Sequence, residues 1–339
     1  MTSNLNATSS NAKSKRSQAD PEKIADSREK ISVIIVNYNG ATFIEQCLES
    51  VRRNCGSLAE IVVLDNASTD ESIELLAKLP YCIQLVKSEV NLGFARGVNT
   101  AARNTSGSVL LLINPDAQLR DPIQPALDRL RSDTNIGVLG LNISFPDGQP
   151  QESYGFDHTP ARIVLSWTGL ARLPIFGHLF ARSESRYRRY SDERYVEWVS
   201  GAGLLVKRST WSRVGGFDER YFMYVEDVDF CKSVRTIGER VAYTPRVRVS
   251  HKVGGSVLGY NEPALLRTAR NYLLYCDKWH GSVSVELVRF GLAVVFFARW
   301  IAMSIRNFFS LGDIDRLKNQ AIAQRHVAAA LLFRRWRTE

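Results

Sequence analysis

The sequence predicts an α/β fold in which helices cover both faces of a mostly parallel sheet. From residue 31 onward, short apolar runs alternate with segments whose apolar residues recur at helical spacing, and this alternation builds βαβ units. Runs such as Ile31–Tyr38 and Val109–Ile113 are almost continuously apolar, as is typical of parallel strands that are buried on both faces. A chain of 339 residues is long enough to enclose a sizeable core around such a sheet.

The elements of the first half follow one another in regular order. The predicted strands are Ile31–Tyr38, Ile61–Leu64, Ile83–Val86, Val109–Ile113 and Ile136–Ile143. The predicted helices are Ala41–Arg53, Ser72–Leu79, Phe94–Asn104 and Ile123–Arg131. Residues 144–195 then lose this periodicity and gain Pro, Gly and Arg. We therefore expect a long variable loop or lid in that segment.

The second half is predicted to regain regular structure and to end in helices. Regularity is predicted to return at Val196–Val206, and a helix at Glu226–Ile237 and two short strands at Val241–Tyr243 and Val247–Ser250 follow. Three regions follow from this pattern. We expect a disordered tail at residues 1–29, a domain at 30–258 with halves at 30–143 and 196–258, and a helical extension at 259–339.

Charge and cysteine content restrict the class of protein. The net charge of +9 favours an anionic partner, such as a nucleotide, a lipid phosphate, a membrane surface or a nucleic acid. Charge is the only feature that suggests nucleic acid, so no nucleic-acid partner is expected. The five cysteines include no C-x-x-C pair and the N-terminus has no apolar signal-peptide core, which together favour a reducing, cytoplasmic location.

The most informative single residue is Asp116. It follows the apolar strand Val109–Ile113 after Asn114 and Pro115, and proline cannot continue a sheet ladder. Asp116 should therefore lie at the carboxyl edge of the sheet, where open α/β sheets bind ligands. A carboxylate there suits Mg²⁺ or Mn²⁺, which commonly bridges an acidic side chain and substrate phosphates. The alternative is an ordinary turn or cap residue.

Three further loops should meet Asp116 at the same edge. They are Asn37-Tyr38-Asn39-Gly40, the segment from Asp65 to Asp70, and the segment from Asn91 to Gly97 that contains Gly93 and Arg96. Small polar residues at strand ends supply the amide and carboxylate groups that bind a base, a ribose and a diphosphate. Each loop alone is weak evidence, because the same residue types cap helices. Arg96 has the alternative of an ordinary exposed helix arginine.

Two downstream segments complete an ordered set of motifs. Residues 201–208 read GAGLLVKR, residues 215–229 read GGFDERYFMYVEDVD, and His251 follows a late strand. The ordered set resembles the inverting glycosyltransferases of family 2, which have the GT-A nucleotide-diphospho-sugar transferase fold, and more narrowly their rhamnosyltransferase-like members. The resemblance covers roughly residues 31–255.

The resemblance implies a role for individual residues. Tyr38, Asp65 and Asn66 would hold the nucleobase and ribose, with Asn37 and Gly93 in the same loops. Asn114 and Asp116 stand where the family has a metal-binding D-x-D motif, so only Asp116 is left as an acid, with His251 as a further metal ligand. Two departures weaken these assignments: many members have an acid where this chain has Asn66, and the first acid of D-x-D is replaced by Asn114.

The same resemblance implies that Asp227 is the general base. Sugar transfer with inversion is a single displacement, which needs one carboxylate to accept the proton of the acceptor hydroxyl and one cation to stabilise the departing diphosphate. The alternative for Asp227 and Glu226 is to cap the helix that begins there. Glu226, Trp198 and Gly203 would lie near the acceptor or sugar, although a buried aromatic is an equal alternative for Trp198.

The expected activity is transfer of L-rhamnose from dTDP-rhamnose to a polysaccharide or a lipid-linked glycan. This donor rests on the resemblance alone, and UDP- or GDP-sugars stay open. Two other classes are a nucleotidyltransferase of the same fold and a non-catalytic glycan-binding relative. The first usually has a glycine-rich phosphate loop with Lys or Arg after the first strand, which Asn37–Gly40 lacks. The second would be expected to lose Asp116, Asp227 or His251.

The C-terminal helices leave two interpretations open. Val283–Phe309 is strongly apolar, but charged residues interrupt it and its longest uncharged run, Phe290–Ala298, is too short to span a bilayer. Apolar faces beside arginines, with Trp300 among them, fit helices that lie in a membrane interface. The enzyme would then be peripheral on the inner face of the cytoplasmic membrane. The alternative is a hairpin that packs on the core or on a partner subunit.

Overall fold

A nine-stranded mixed sheet lies at the centre of the structure, a computed structural model that describes residues 30–80, 82–169, 191–252, 262–309 and 314–333. Its strands are β1 (Ile31–Asn37), β2 (Ala59–Asn66), β3 (Gln84–Ser88), β4 (Val109–Ile113), β5 (Ala117–Leu119), β6 (Ile136–Ser144), β8 (Arg194–Val196), β10 (Gly203–Lys207) and β11 (Arg240–His251). Two further strands, β7 (Tyr154–Gly155) and β9 (Trp198–Val199), pair antiparallel with each other.

The first half of the sheet is parallel, as expected. Its order is β3-β2-β1-β4, and β1 is parallel to both of its neighbours, with Ile31 opposite Ala59 on one side and Val109 on the other. Every residue of β1 is buried, since helices cover both faces. The carboxyl ends of β1, β2 and β4 therefore lie side by side at one edge.

The second half of the sheet contains the antiparallel pairings. Strand β10 runs antiparallel to β4 and β6, while β11 is parallel to β6 and antiparallel to β5 and β8. The regular segment expected at Val196–Val206 is divided among β8, β9 and β10. Conversely, the two short strands expected after Arg240 form the single strand β11, whose register against β6 shifts between Tyr243 and Arg248 around Pro245.

Helices lie on both faces, which confirms the predicted fold class. They are α1 (Ile44–Cys55), α2 (Ser72–Ala77), α3 (Gly93–Ala102), α4 (Gln124–Ser132), α5 (Pro160–Trp167), α6 (Arg208–Val214), α7 (Glu226–Thr236), α8 (Glu262–His280), α9 (Ser282–Phe309) and α10 (Ile314–Leu332). Apolar residues of α1 and α4 form one core with one face of the sheet. Residues of α3 and α5 to α10 form a second core on the opposite face.

Parts of the predicted organisation differ from the structure or lie outside it. The segment expected to be one long loop contains β7 and α5, and α5 begins with Thr159 as its N-cap and Pro160 at its first turn. The expected tail at 1–29 and residues 170–190 and 253–261, with the expected boundary at 258, lie outside the described residues.

The C-terminal helices are built into the second core. Residues of α8, α9 and α10 belong to the same apolar cluster as the sheet. Arg289 of α9 is buried, where it pairs with Glu286 and donates to the carbonyl of Leu331 on α10. By length and composition, the helix Ser282–Arg306 is long and apolar enough to cross a membrane. The short uncharged run Phe290–Ala298 therefore does not by itself exclude a membrane-spanning helix.

Candidate active site

The loops after β1 and β2 are joined at the carboxyl edge of the sheet. Asn37 is fully buried and donates to Asp65 Oδ1 at 3.3 Å and to Ser68 Oγ at 3.2 Å. Asp65 Oδ2 accepts from the backbone N–H of Ser68 at 3.1 Å. Gly40 is required beside this network, because a Cβ atom there would meet Asn37 Oδ1 at 2.2 Å. Asn37 therefore organises the loops, while the exposed ring of Tyr38 lies at their rim.

Asn66 joins the second loop to the start of α3. Its Nδ2 donates to Asn91 Oδ1 at 3.0 Å and to the carbonyl of Gly93 at 3.1 Å, and its Oδ1 accepts from Leu92 N at 2.7 Å. All of these partners belong to the protein and Asn66 is buried. In this structure the amide of Asn66 therefore positions the Gly93 loop. The resemblance had implied a different role for it, a direct contact with the nucleobase.

Arg96 lies on the outer surface of α3. Its guanidinium is well exposed and lies 3.8 Å from Glu219. This contact fits the exposed-helix alternative, and no described contact joins Arg96 to Asp116 or His251. Exposed ion pairs of this kind contribute little to stability.

Asn114, Asp116 and His251 converge at the end of β4. Asp116 Oδ1 lies 3.2 Å from His251 Nε2, and Asn114 Nδ2 lies 3.2 Å from the same nitrogen. The pairing of β5 with β11 places His251 opposite Ala117, next to Asp116. The carbonyl of Asp116 also accepts from Lys252 N at 3.0 Å. The side chains of Asp116 and His251 are almost fully buried, so the cluster is fixed by the sheet.

Gln151 holds His251 from the other side. Its Oε1 lies 3.0 Å from His251 Nδ1, and its Nε2 donates to the carbonyl of His251 at 2.5 Å. An acceptor at Nδ1 fixes the proton on that nitrogen and leaves the lone pair of Nε2 facing Asp116. Gln151 lies in the segment expected to be a variable loop, and its contact spans 100 residues. No local sequence pattern marked it.

The residues at this position fit a divalent metal. The carboxylate oxygen of Asp116 and the Nε2 lone pair of His251 converge at 3.2 Å, close to the roughly 3 Å that separates neighbouring ligands around a metal with bonds of about 2.1 Å. Among the described residues, no group of three or more His, Cys, Asp or Glu side chains could hold a metal. A site of two protein ligands needs substrate phosphates to complete it, as Mg²⁺ sites commonly do.

Asp227 lies at the first turn of α7. Its Oδ2 accepts from the backbone N–H of Gly201 at 3.0 Å, and its Oδ1 accepts from Val228 N at 2.8 Å. Burial raises the pKa of Asp227, and the two N–H donors oppose that rise. The position at a helix start by itself favours the charged form, so burial has the larger effect here. A carboxylate with a raised pKa is a stronger base once deprotonated.

Glu226 is buried beside Asp227. Its Oε2 has no hydrogen-bond partner among the described residues. Burial, together with the neighbouring charge of Asp227, raises the pKa of Glu226 well above its usual value. Of the two carboxyl groups, Glu226 is therefore the one favoured in the protonated form, in which it can donate a hydrogen bond, and Asp227 is the one favoured in the charged form, in which it can accept a proton.

The turn before Glu226 is strained. Tyr224 and Val225 have φ of 77° and 71°, which is the left-handed region that non-glycine residues rarely adopt. Val225 is β-branched, so its conformation is especially unfavourable. Such residues cost on the order of 1–3 kcal/mol each and concentrate at functional sites. The surrounding structure must therefore hold this turn.

The segment from Ser200 to Gly203 connects the two acidic centres. Gly201 N contacts Asp227, while Gly203 pairs with Ile113, the residue before Asn114. A Cβ at Gly203 would meet Val249 of β11 at 3.2 Å, so Gly203 serves the packing of the sheet. Gly201, which sequence reasoning did not single out, is the glycine that contacts the base candidate.

Trp198, expected either near the acceptor or sugar or as a buried aromatic, lies in the core of this structure. Trp198 is buried, and its indole N–H donates to the carbonyl of Phe156 at 3.0 Å. Its ring belongs to the second core, where it packs edge-on to His158. The buried-aromatic alternative describes this residue, because tertiary packing and not the local sequence decides which face of a short strand is covered.

Comparison with known proteins gives consistent results. The model of glycosyl transferase family 2 matches residues 32–190. An N-acetylglucosaminyl-diphospho-decaprenol L-rhamnosyltransferase of Mycobacterium tuberculosis is 31% identical over 238 residues, covering 65% of this chain and 75% of that protein. The rhamnosyltransferase WbbL of Escherichia coli is 44% identical over 62 residues, or 18% of this chain and 23% of that protein.

Two solved structures share the fold. The mannosyltransferase PcManGT from Pyrobaculum calidifontis, in complex with GDP-Man and Mn²⁺, has a TM-score of 0.52 and 17% identity over 92% of this chain and 88% of that chain. GalNAc-T7 with UDP, GalNAc and Mn²⁺ has a TM-score of 0.55 and 17% identity over 88% of this chain and 54% of that chain. At this identity the likeness shows the GT-A fold alone.

Proposed function

The chain belongs to glycosyltransferase family 2, and from that premise we propose that it transfers L-rhamnose from dTDP-β-L-rhamnose, with inversion, to a lipid-linked or polysaccharide acceptor. The observation that carries this proposal is the geometry at one sheet edge. Two candidate metal ligands, Asp116 and His251, are connected to the partly buried carboxylate of Asp227 through the short segment from Ser200 to Gly203. The rhamnosyltransferase named above supports the choice of donor.

In this proposal Asp227 accepts the proton of the attacking hydroxyl. Its two oxygens are held by the N–H groups of Gly201 and Val228, so the carboxylate is oriented before the acceptor arrives. Glu226 beside it, whose raised pKa favours the protonated form, would donate to an oxygen of the acceptor. No covalent sugar–enzyme intermediate is needed, because a single displacement inverts the anomeric carbon.

Asp116 and His251 would hold Mg²⁺ or Mn²⁺, with Asn114 at the same position. When bound, the metal supplies positive charge to the departing diphosphate. Tyr38 and Asp65 would contact the base and ribose at the ends of β1 and β2, and Asn37 and Asn66 would keep those loops in place. The carboxylate of Asp65 is buried within this network, so it presents a fixed acceptor.

The proposal is tested by a panel of nucleotide-sugars incubated with the purified protein, with and without Mn²⁺. We expect release of dTDP from dTDP-rhamnose, and loss of that release in excess EDTA. A UDP- or GDP-sugar that is hydrolysed faster would change the donor and keep the enzyme class. Failure to release a nucleoside diphosphate from any member would contradict the proposal.

Gln151→Leu is expected to weaken metal binding by about 10- to 100-fold, because second-shell partners that orient a metal-binding histidine have effects of this size. Binding of Mn²⁺ in the presence of dTDP, followed by electron paramagnetic resonance, measures this effect without turnover. Gln118→Leu is the matched control, since Gln118 lies on β5 and its side chain bonds only to Gln46 among the described residues. Equal Mn²⁺ affinity in Gln151→Leu and the control would show that Gln151 does not orient His251.

Helix α9 carries an exposed apolar stripe that supports a membrane partner. Large apolar residues recur along it at intervals of three and four, so they share one helix face. They are Val283, Leu287, Phe290, Val294, Phe297, Ile301 and Ile305. The stripe is about 33 Å long at 1.5 Å per residue. The opposite face of α9 packs in the second core, so the helix would lie along the cytoplasmic membrane surface and not across it.

The stripe and the basic character of the chain predict binding to anionic vesicles. We expect the full-length protein to float with anionic liposomes at low salt and to remain partly bound at high salt, since apolar burial is not screened. The double variant Phe290→Glu, Val294→Glu should stay in the soluble fraction. Val90→Glu is the control, because Val90 is equally exposed but lies off the stripe.

Two outcomes would contradict a membrane partner. One is a full-length protein that stays in the soluble fraction at low salt. The other is a double variant that floats as well as the Val90→Glu control. A dimer in solution that the double variant converts to monomer would show instead that a second copy covers the stripe.

A further inference from the structure

The strained turn at residues 222–225 is fixed on two sides. On the donor side, the carbonyl of Phe222 accepts from Phe94 N at 2.6 Å. A Cβ atom at Gly93 would meet that carbonyl at 2.3 Å, so the turn and the donor loop are in backbone contact. On the other side, Asn271 of α8 donates through Nδ2 to the carbonyls of Met223 and Tyr224, both at 2.8 Å.

Asn271 is itself held rigidly. It is 2% exposed, and α8 is tied to the domain near its C-terminal end. There Lys278 Nζ and Trp279 Nε1 both donate at 2.7 Å to the buried Asp229, which lies on α7. The amide of Asn271 therefore approaches the turn from a fixed support, and a single side chain bridges two consecutive carbonyls of strained backbone.

The position of the turn makes this clamp relevant to the base. Asp227 follows Val225 by two residues, and the left-handed conformations of Tyr224 and Val225 set the direction in which α7 begins. If the turn relaxed to ordinary backbone angles, the start of α7 would move relative to Gly201, which donates to Asp227. A displacement of about 1 Å at a reacting group is enough to reduce turnover by about 100-fold.

We propose that Asn271 is a positioning residue that keeps the 222–225 turn in its strained conformation and thereby keeps Asp227 aligned with the donor. The inference rests on the proposed function, in which Asp227 is the base. Asn271 contacts Met223 and Tyr224, whereas the contact of the turn with the donor loop is made by Phe222, so we expect the clamp to affect transfer more than donor affinity.

The test compares Asn271→Asp and Asn271→Leu, which keep the size of the side chain and remove both donated hydrogen bonds. We expect kcat for transfer to fall roughly 10- to 100-fold, while Kd for dTDP with Mn²⁺ and KM for the donor stay within about twofold. Thr268→Val is the matched control on the same helix. It removes a hydroxyl that donates within α8, to the carbonyl of Ala264, and among the described residues touches neither the turn nor α7, so it should leave kcat unchanged.

The outcomes separate this inference from the proposed function. A wild-type protein that transfers sugar while both Asn271 variants keep its kcat would overturn the inference alone. So would a loss of kcat in Thr268→Val equal to that in Asn271→Leu at the same loss of Tm, since α8 would then act through stability only. A wild-type protein that transfers no sugar from any donor would overturn both.

Discussion

Asp227→Asn should reduce sugar transfer by at least about 100-fold, because general base catalysis contributes roughly 10²- to 10⁴-fold. The asparagine keeps the size of the side chain and one acceptor oxygen for the N–H groups of Gly201 and Val228, but it cannot accept the proton. Donor binding should survive, because Asp227 lies away from the loops after β1 and β2. Initial rates of transfer and dTDP binding by calorimetry measure the two effects separately.

Glu226→Gln is the matched control for this prediction. Burial and the charge of Asp227 raise the pKa of Glu226 and so favour its protonated form, and a neutral amide in its place keeps a hydrogen-bond donor. We expect a loss of less than about tenfold. If Glu226→Gln stops transfer and Asp227→Asn does not, the roles of the two carboxylates are reversed.

The same assignment predicts the pH dependence. Burial raises the pKa of Asp227 above that of an ordinary aspartate, so a larger share of the base is protonated and inactive at mildly acidic pH. Turnover should therefore rise with pH through that raised pKa, and the acidic limb should lie above about pH 4, where a free aspartate titrates. The residual rate of Asp227→Asn should lack this limb.

Asp116→Ala should lower turnover by about 1000-fold or more, since a catalytic metal supplies several kcal/mol and each 1.4 kcal/mol is tenfold. The fold should persist, because the contact of Asp116 with Lys252 uses its backbone carbonyl. Loss of Mn²⁺ binding in the presence of dTDP is the direct measurement.

Asp121→Ala is the control for that variant. Asp121 pairs with Arg248 at the surface and contacts neither Asp116 nor His251 among the described residues. It should retain metal binding and turnover. Full activity of Asp116→Ala, or of the wild-type enzyme in excess EDTA, would contradict a metal at this position.

The fold and the position of the site follow from local patterns. The strand Val109–Ile113 was predicted with its observed limits, because five buried aliphatics end at a residue pair that includes proline. Asp116 could be placed at the sheet edge for the same reason. The antiparallel course of β10 could not be predicted, because the direction of a short apolar strand depends on pairing and not on its own sequence.

The contacts that hold the site could not be predicted from sequence. Gln151 reaches His251 across 100 residues, and Asn271 reaches Tyr224 across 47. Neither side chain stands in a pattern that differs from an ordinary polar residue in a loop or on a helix. The strained φ angles at Tyr224 and Val225 likewise arise from the packing around the turn, since local preference opposes them.

The configuration of the newly formed glycosidic bond tests the central claim most directly. The wild-type enzyme is incubated with dTDP-β-L-rhamnose, Mn²⁺ and a lipid-linked N-acetylglucosamine acceptor, and the anomeric proton and carbon of the product are assigned by NMR. A single displacement assisted by Asp227 predicts an α-L-rhamnoside, with the configuration inverted. A β-L-rhamnoside, with the configuration retained, would contradict it.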